Sequence, residues 1–258
     1  MTPAALAGAA ELAARLEAAG AAPEGARPPA EGIRRLLLGW SPRVREGNFE
    51  GLGVEDLDFL FRGYDDGFFG GALGRATGQL RFRLAPRMTR SGGKTFQFRP
   101  RGAGEAPVYE IAVSTHLLFR SFRGGGRPVE VNGLPCRDRL DALQRIFEHE
   151  LLHLAELLAY GASSCKTARF RSLARRLFGH RDVTHRLVTA QEWARDRHGL
   201  RVGDRVSFTF EGRRLAGLLH RVTKRATVLV EDREGTPYTD GRRYRKFYVP
   251  LPALERAG

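Results

Sequence analysis

The longest helical pattern of apolar residues lies near the middle of the chain, between Leu140 and Leu158. Apolar side chains recur there at spacings of three and four residues, and neither Gly nor Pro interrupts them. The segment is therefore predicted to form a buried helix. Its apolar positions are Leu140, Leu143, Ile146, Phe147, Leu151, Leu154, Leu157 and Leu158.

Short segments ahead of this helix alternate between apolar and polar residues, as half-buried strands do. They are residues 79–84, 95–98 and 108–113, and a further helix is predicted from Val54 to Tyr64. Three strands followed by a long helix predict an α+β arrangement in which a small sheet packs on that helix.

A second alternating region covers residues 202–249, where Gly203, Gly212 and Gly241 supply turns. Four or five short strands in such a segment predict a small all-β barrel of the SH3-like type. A basic helix, residues 167–178, lies between the two regions.

The start of the chain differs from both regions. Residues 2–20 are Ala-rich and favour helix, whereas residues 21–31 are rich in Pro and Gly and read as a linker. We expect this part to be poorly ordered or loosely docked. The predicted organisation is an N-terminal helix and linker over residues 1–45, a main domain over 46–195 and the barrel over 200–258.

Residues 149–153 read His-Glu-Leu-Leu-His, an H-E-x-x-H pattern within the long helix. One helical turn separates His149 and His153, so both imidazoles leave the same face and can bind one Zn²⁺. Glu150 is then placed to take a proton from metal-bound water. The alternative is a chance match on an ordinary amphipathic helix, but two histidines and a glutamate are costly to bury without a metal or partners.

The net charge is +14 and the sequence pI about 10.8, mostly through arginine. An excess of this size indicates a polyanionic partner, nucleic acid before a membrane surface, unless it reflects a coding bias towards Arg. Cys136 and Cys165 are the only cysteines, which argues against a disulfide framework. Without a secretory signal or a long apolar run, we expect a cytoplasmic protein without a membrane partner.

The order of these motifs resembles the SprT-like zinc metallopeptidases, bacterial relatives of the Spartan DNA–protein crosslink protease, over roughly residues 54–190. The resemblance implies a zincin-like fold, a zinc cofactor and protein substrates held near DNA. The matching residues are Tyr64, Asp65, Phe68, Phe69, Gly70, Gly71 and Leu73, the segment Arg87–Gly93, the H-E-x-x-H helix, Phe170 and the pair Thr184-His185.

The chain departs from the family at the third zinc ligand. The family has a histidine four residues before the aromatic residue that corresponds to Phe170, and Lys166 stands there instead. The neighbouring Cys165 is the preferred third ligand, because thiolates bind Zn²⁺ together with histidines. The alternatives are that Cys165 is a small buried residue at a helix start capped by Ser163 or Ser164, that His180 is the ligand, or that the third ligand is another residue or absent.

Two functions follow from these observations. The first is a zinc metallopeptidase in which Glu150 activates water; the second is a non-catalytic nucleic-acid-associated protein with a structural zinc. Glu156 is expected to support a ligand or to be a surface acid, and His185 to contact a substrate carbonyl or ligand, or to cap a helix. For non-specific DNA binding the barrel offers Arg242, Arg243, Arg245 and Lys246 beside aromatic residues, although ordinary strand alternation would place those aromatics in the core.

Overall fold

The long helix forms as the sequence predicts and organises the first part of the protein. In the computed structural model it runs from Arg139 to Tyr160 (α6), and most of its side chains are buried. Asp138 caps it, because its side chain accepts a hydrogen bond from the main-chain N–H of Asp141. It ends at Gly161, whose φ of 72° is a left-handed conformation suited to glycine.

The structure describes residues 3–20, 28–99, 102, 106–123 and 127–257. The fold is mixed α+β, and the chain divides into two units, Met1–Leu187 and Val188–Gly258. No helix among the described residues is long and apolar enough to cross a membrane.

Seven α-helices are described in the first unit, with a π-helical turn over Asp65–Phe69 between the third and the fourth. They are α1 (Pro3–Ala18), α2 (Pro28–Trp40), α3 (Val54–Tyr64), α4 (Ala72–Ala76), α5 (Thr115–Ser121), α6 (Arg139–Tyr160) and α7 (Ala168–Phe178).

The three predicted strands form one sheet in the order β1-β3-β2. They are β1 (Gln79–Leu84), β2 (Gly93–Phe98) and β3 (Val108–Val113), with β1 parallel and β2 antiparallel to the central β3. A second, smaller sheet has the order β5-β4-β6, from β4 (Glu130–Val131), β5 (Leu134–Pro135) and β6 (His185–Arg186). The sheet with β2 at its edge packs on α6, as the sequence predicts.

The N-terminal helices are docked, whereas residues 2–31 were expected to be poorly ordered or loosely docked. Leu12 and Leu16 of α1 are almost fully buried in the same apolar core as Leu37 of α2. The first helical turn of α2 also occupies residues 28–31 of the expected linker, whereas residues 21–27 lie outside the described part. The error arose because alanine-rich composition conceals the few large apolar residues that dock a helix.

The second unit has its own core and a five-stranded antiparallel sheet in the order β10-β9-β8-β7-β11. It begins earlier than residue 200, because Ala190 and Ala194 of α8 contribute to this core. Its elements are α8 (Ala190–His198), β7 (Arg205–Phe210), β8 (Arg213–Val222), β9 (Ala226–Pro237), β10 (Arg243–Val249) and β11 (Glu255–Arg256), with a 3-10 turn over Leu251–Ala253.

Candidate metal centre

The two histidines of the H-E-x-x-H pattern converge on one point beside α6. Their Nε2 atoms are 3.2 Å apart, and the rings leave the same face of the helix. His149 is almost fully buried, and its Nδ1 has no hydrogen-bond partner among the described residues. Burial lowers the pKa of His149 to about 2, so that this ring is neutral near pH 7, the form in which imidazole binds a metal.

Cys165 lies next to both histidines. The chain turns back after Gly161, and each of His149, His153 and Cys165 then offers a ligand atom within 4.8 Å of the other two. Cys165 does not begin a helix, since α7 starts at Ala168 and its N-cap is Thr167 rather than Ser163 or Ser164. Two nitrogens and one sulfur are a donor set that suits Zn²⁺.

His180, the alternative ligand, has a different environment. It is almost fully buried, and its Nε2 lies 2.9 Å from Oε2 of Glu148, whose Oε1 accepts a hydrogen bond from the Tyr64 hydroxyl at 2.7 Å. In the described part of the chain, His180 belongs to no cluster that could hold a metal. Its position therefore favours a role in a buried polar network over metal binding.

A hydrogen-bonded chain fixes the second histidine. The hydroxyl of Ser163 donates to Oε2 of the fully buried Glu156 at 2.6 Å, and the same hydroxyl oxygen lies 2.8 Å from Nδ1 of His153. Because the only hydroxyl proton goes to the carboxylate, Ser163 accepts from His153, which puts the ring proton on Nδ1. The Nε2 lone pair of His153 then faces His149, ready for a metal.

Glu156 is therefore not a surface acid. Its other oxygen, Oε1, accepts a hydrogen bond from Nε of Arg169 at 2.8 Å, and this guanidinium balances the buried negative charge. The sequence indicated that Glu156 shares the face of the two histidines. It did not predict that Ser163 joins His153 to Glu156, because the loop that carries Ser163 comes close to the helix only in the folded protein.

Glu150 is buried beside the histidines and held by the edge strand. Oγ1 of Thr95 on β2 donates to its Oε2 at 2.8 Å, and burial raises the pKa of Glu150 to about 7 against the lowering effect of this hydrogen bond. A Cβ at Gly93 would lie 2.6 Å from Cγ of Glu150. The glycine at this position therefore gives the carboxylate the room that it occupies.

His185 is a further histidine of the same centre. It lies on β6, so it does not cap a helix, and its ring centroid is 4.8 Å from that of His149. His149, Glu150 and His185 form a second group whose ligand atoms lie within 4.8 Å of one another. Burial lowers the pKa of His185 to about 3. The group with Cys165 contains both histidines of the motif, whereas this group contains only His149 of the two.

The four basic residues expected to bind DNA all lie on or next to β10, and each has a partner within its own unit. Arg242 pairs with Glu231, Arg245 pairs with Asp232 at 2.9 Å, and Arg243 donates to the carbonyl of Gly235. Nζ of Lys246 lies 5.6 Å from the centre of the Tyr238 ring.

The aromatic residues of β10 divide between core and surface. Phe247 packs against the core of the second unit. Tyr244, three residues earlier and so on the other face of the strand, is also buried, and its hydroxyl donates to Asp240 at 2.7 Å. Tyr248 is 64% exposed. On β10, Tyr248 is therefore the aromatic side chain most exposed to solvent, and the basic residues near it are partly neutralised by their partners.

Comparison of the chain with protein-family models, with curated proteins and with solved structures found no match. The resemblance to SprT-like metallopeptidases thus depends on the ordered motifs of this sequence, and the functional argument depends on the geometry of the centre.

Proposed function

We propose that this protein is a zinc-dependent peptidase of the SprT-like type, with a zincin-like first unit, that acts on proteins associated with DNA. The observation that carries the proposal is the convergence of His149, His153 and Cys165 beside the buried carboxylate of Glu150. A bound zinc would polarise the scissile carbonyl and make water more acidic.

The side chains present fit a zinc ion. Both histidines present Nε2 towards the same point, and Ser163 holds His153 in the tautomer whose Nε2 lone pair faces that point. The thiolate of Cys165 would complete three protein ligands, which leaves one position of a tetrahedral site free. An open position is typical of catalytic rather than structural zinc sites.

Glu150 is the proposed general base. Its carboxylate follows His149 directly on α6 and is oriented by Thr95, so it is fixed beside the ligands rather than free in solvent. A purely structural zinc site does not need a buried carboxylate that lies beside two of its ligands without binding the metal itself. This placement favours the peptidase over the non-catalytic alternative.

The edge position of β2 supports a peptide substrate. In the order β1-β3-β2, only one side of β2 is paired with another strand in the described part of the chain. An extended peptide can add to such an edge through main-chain hydrogen bonds. Since β2 begins at Gly93, beside Glu150, a peptide bound along this edge would pass close to the base.

The association with DNA is proposed from charge. The net charge of +14 favours contact with phosphates, and the second unit, for which we propose an SH3-like barrel, contributes Arg242, Arg243, Arg245 and Lys246. Its aromatic contribution would come from Tyr248, because Tyr244 and Phe247 are taken up by packing.

Removal of zinc should abolish cleavage of an unstructured protein such as casein, and re-addition of one equivalent should restore it. The reason is that zinc is the proposed electrophile that activates the carbonyl beside Glu150. The measurement is release of labelled fragments before chelation, after chelation and after zinc is returned. Cleavage that persists in fully zinc-free protein would contradict the proposed function.

Ser163→Ala should weaken zinc binding by about 10–100-fold, because it breaks the hydrogen-bonded chain from His153 to Glu156. Competition with a chromophoric chelator measures the affinity. The matched control is Ser164→Ala, which removes the same group from an exposed neighbour. Equal affinities for the two variants would show that the Ser163 hydroxyl does not support the ligand.

A further inference from the structure

The outer face of the three-stranded sheet is unlike an ordinary solvated surface. Side chains alternate along β2, and Thr95 points towards α6, where it bonds Glu150, so Lys94, Phe96 and Phe98 point the other way. The register places Phe96 across from Glu110 of β3, and Glu110 across from Arg81 of β1. We call this surface the outer sheet face; it comprises Arg81, Arg83, Lys94, Phe96, Phe98 and Glu110.

Two aromatic rings stack against each other on this face. The ring centroids of Phe96 and Phe98 are 5.9 Å apart, and their planes differ by only 16°. Phe98 is 45% exposed and Phe96 is partly exposed. Exposing apolar rings to water is unfavourable, and the exposed part of each ring is a surface on which a planar group can stack.

Cations surround these rings. Arg81 lies 5.8 Å from the centre of the Phe98 ring, and Lys94 lies 4.9 Å from that of Phe96. Arg83, 5.6 Å from the Phe96 ring, is paired with Glu110 at 2.7 Å. Neither Arg81 nor Lys94 forms a salt bridge with another residue of the described chain, so both charges are available to an anion.

We propose that the outer sheet face binds single-stranded nucleic acid. Bases stack on Phe96 and Phe98, while Arg81 and Lys94 contact the phosphates on either side. Single strands are favoured over duplex because only unpaired bases expose their ring faces to a protein surface. An anionic lipid surface fits less well, because the rings lie among the cations of a flat sheet and do not form a continuous apolar stripe that could insert.

This inference goes beyond the proposed function, since it concerns a surface on the opposite side of the sheet from Glu150 and needs no metal. Binding is measured on the full chain by fluorescence anisotropy of labelled oligo(dT), at several salt concentrations. Phe96→Ala/Phe98→Ala should lower the affinity about 30-fold, because both stacking surfaces are removed. Phe96→Tyr/Phe98→Tyr keeps the rings and should bind as the native chain does.

Phe210→Ala controls for the loss of any exposed aromatic side chain. Phe210 lies on β7 and is 46% exposed, close to the 45% of Phe98. This variant should leave the affinity unchanged. Arg81→Gln/Lys94→Gln should reduce the magnitude of the salt slope by about 0.7 for each phosphate that the variant no longer neutralises.

Two results would overturn the proposal. One is native affinity in Phe96→Ala/Phe98→Ala; the other is binding to vesicles of phosphatidylserine and phosphatidylcholine without binding to oligo(dT). Neither result bears on zinc content or casein cleavage, so this proposal and the peptidase activity can fail separately, whereas an absence of oligo(dT) binding would also count against the proposed association with DNA.

Discussion

Replacing Glu150 by Gln is expected to reduce peptide-bond cleavage by about 10²–10⁴-fold while zinc content stays at about one ion per chain. The amide has nearly the shape of the carboxylate and can still interact with Thr95, but it cannot take a proton from water. Because Glu150 is a proposed base and not a ligand, the loss should appear in the rate and not in metal binding.

The comparison requires zinc analysis and casein cleavage on the same preparation of native chain and Glu150→Gln. The control is Glu110→Gln, which changes a carboxylate on the opposite side of the sheet and should leave cleavage unchanged. Native rates in Glu150→Gln would remove the base from the mechanism. Loss of zinc together with activity would instead assign Glu150 to the ligands.

His149→Ala is expected to abolish stoichiometric zinc binding and the stabilisation that zinc provides. Folding brings the three side chains together, so zinc binds the native state and not the unfolded chain. At about a hundredfold excess over its Kd, zinc should therefore raise the free energy of unfolding of the native chain by ~2.7 kcal/mol. The variant should show no such increase. Denaturant unfolding with and without zinc measures both.

His220→Ala serves as the control for this variant, because His220 is an exposed histidine of the second unit, outside both candidate clusters. It should respond to zinc as the native chain does. Full zinc occupancy in His149→Ala would place the metal elsewhere in the protein.

Much of the scaffold could be predicted because its signals are local. The α3 helix and strands β1 and β3 have the predicted bounds, since each carries an uninterrupted period of apolar residues. The H-E-x-x-H pattern likewise brought His149 and His153 together, because one helical turn fixes their spacing.

The remaining features depend on contacts between distant segments. Helix α2 was missed because prolines and glycines hid the start of an amphipathic pattern that buries Ile33 and Leu37. The two-residue strands β4–β6 are too short to show a period, so the sequence left open whether His185 contacts a ligand or caps a helix. Ser163 joins His153 to Glu156 only once the loop after Gly161 folds back.

The central claim, a zinc ion held by His149, His153 and Cys165, is tested most directly by X-ray absorption spectroscopy of the zinc-loaded protein. We expect two nitrogen ligands at ~2.0–2.1 Å and one sulfur at ~2.3 Å, with the remaining position filled by a light atom. The sulfur contribution should vanish in Cys165→Ser. A native spectrum with nitrogen and oxygen ligands alone would contradict the account and remove Cys165 from the centre.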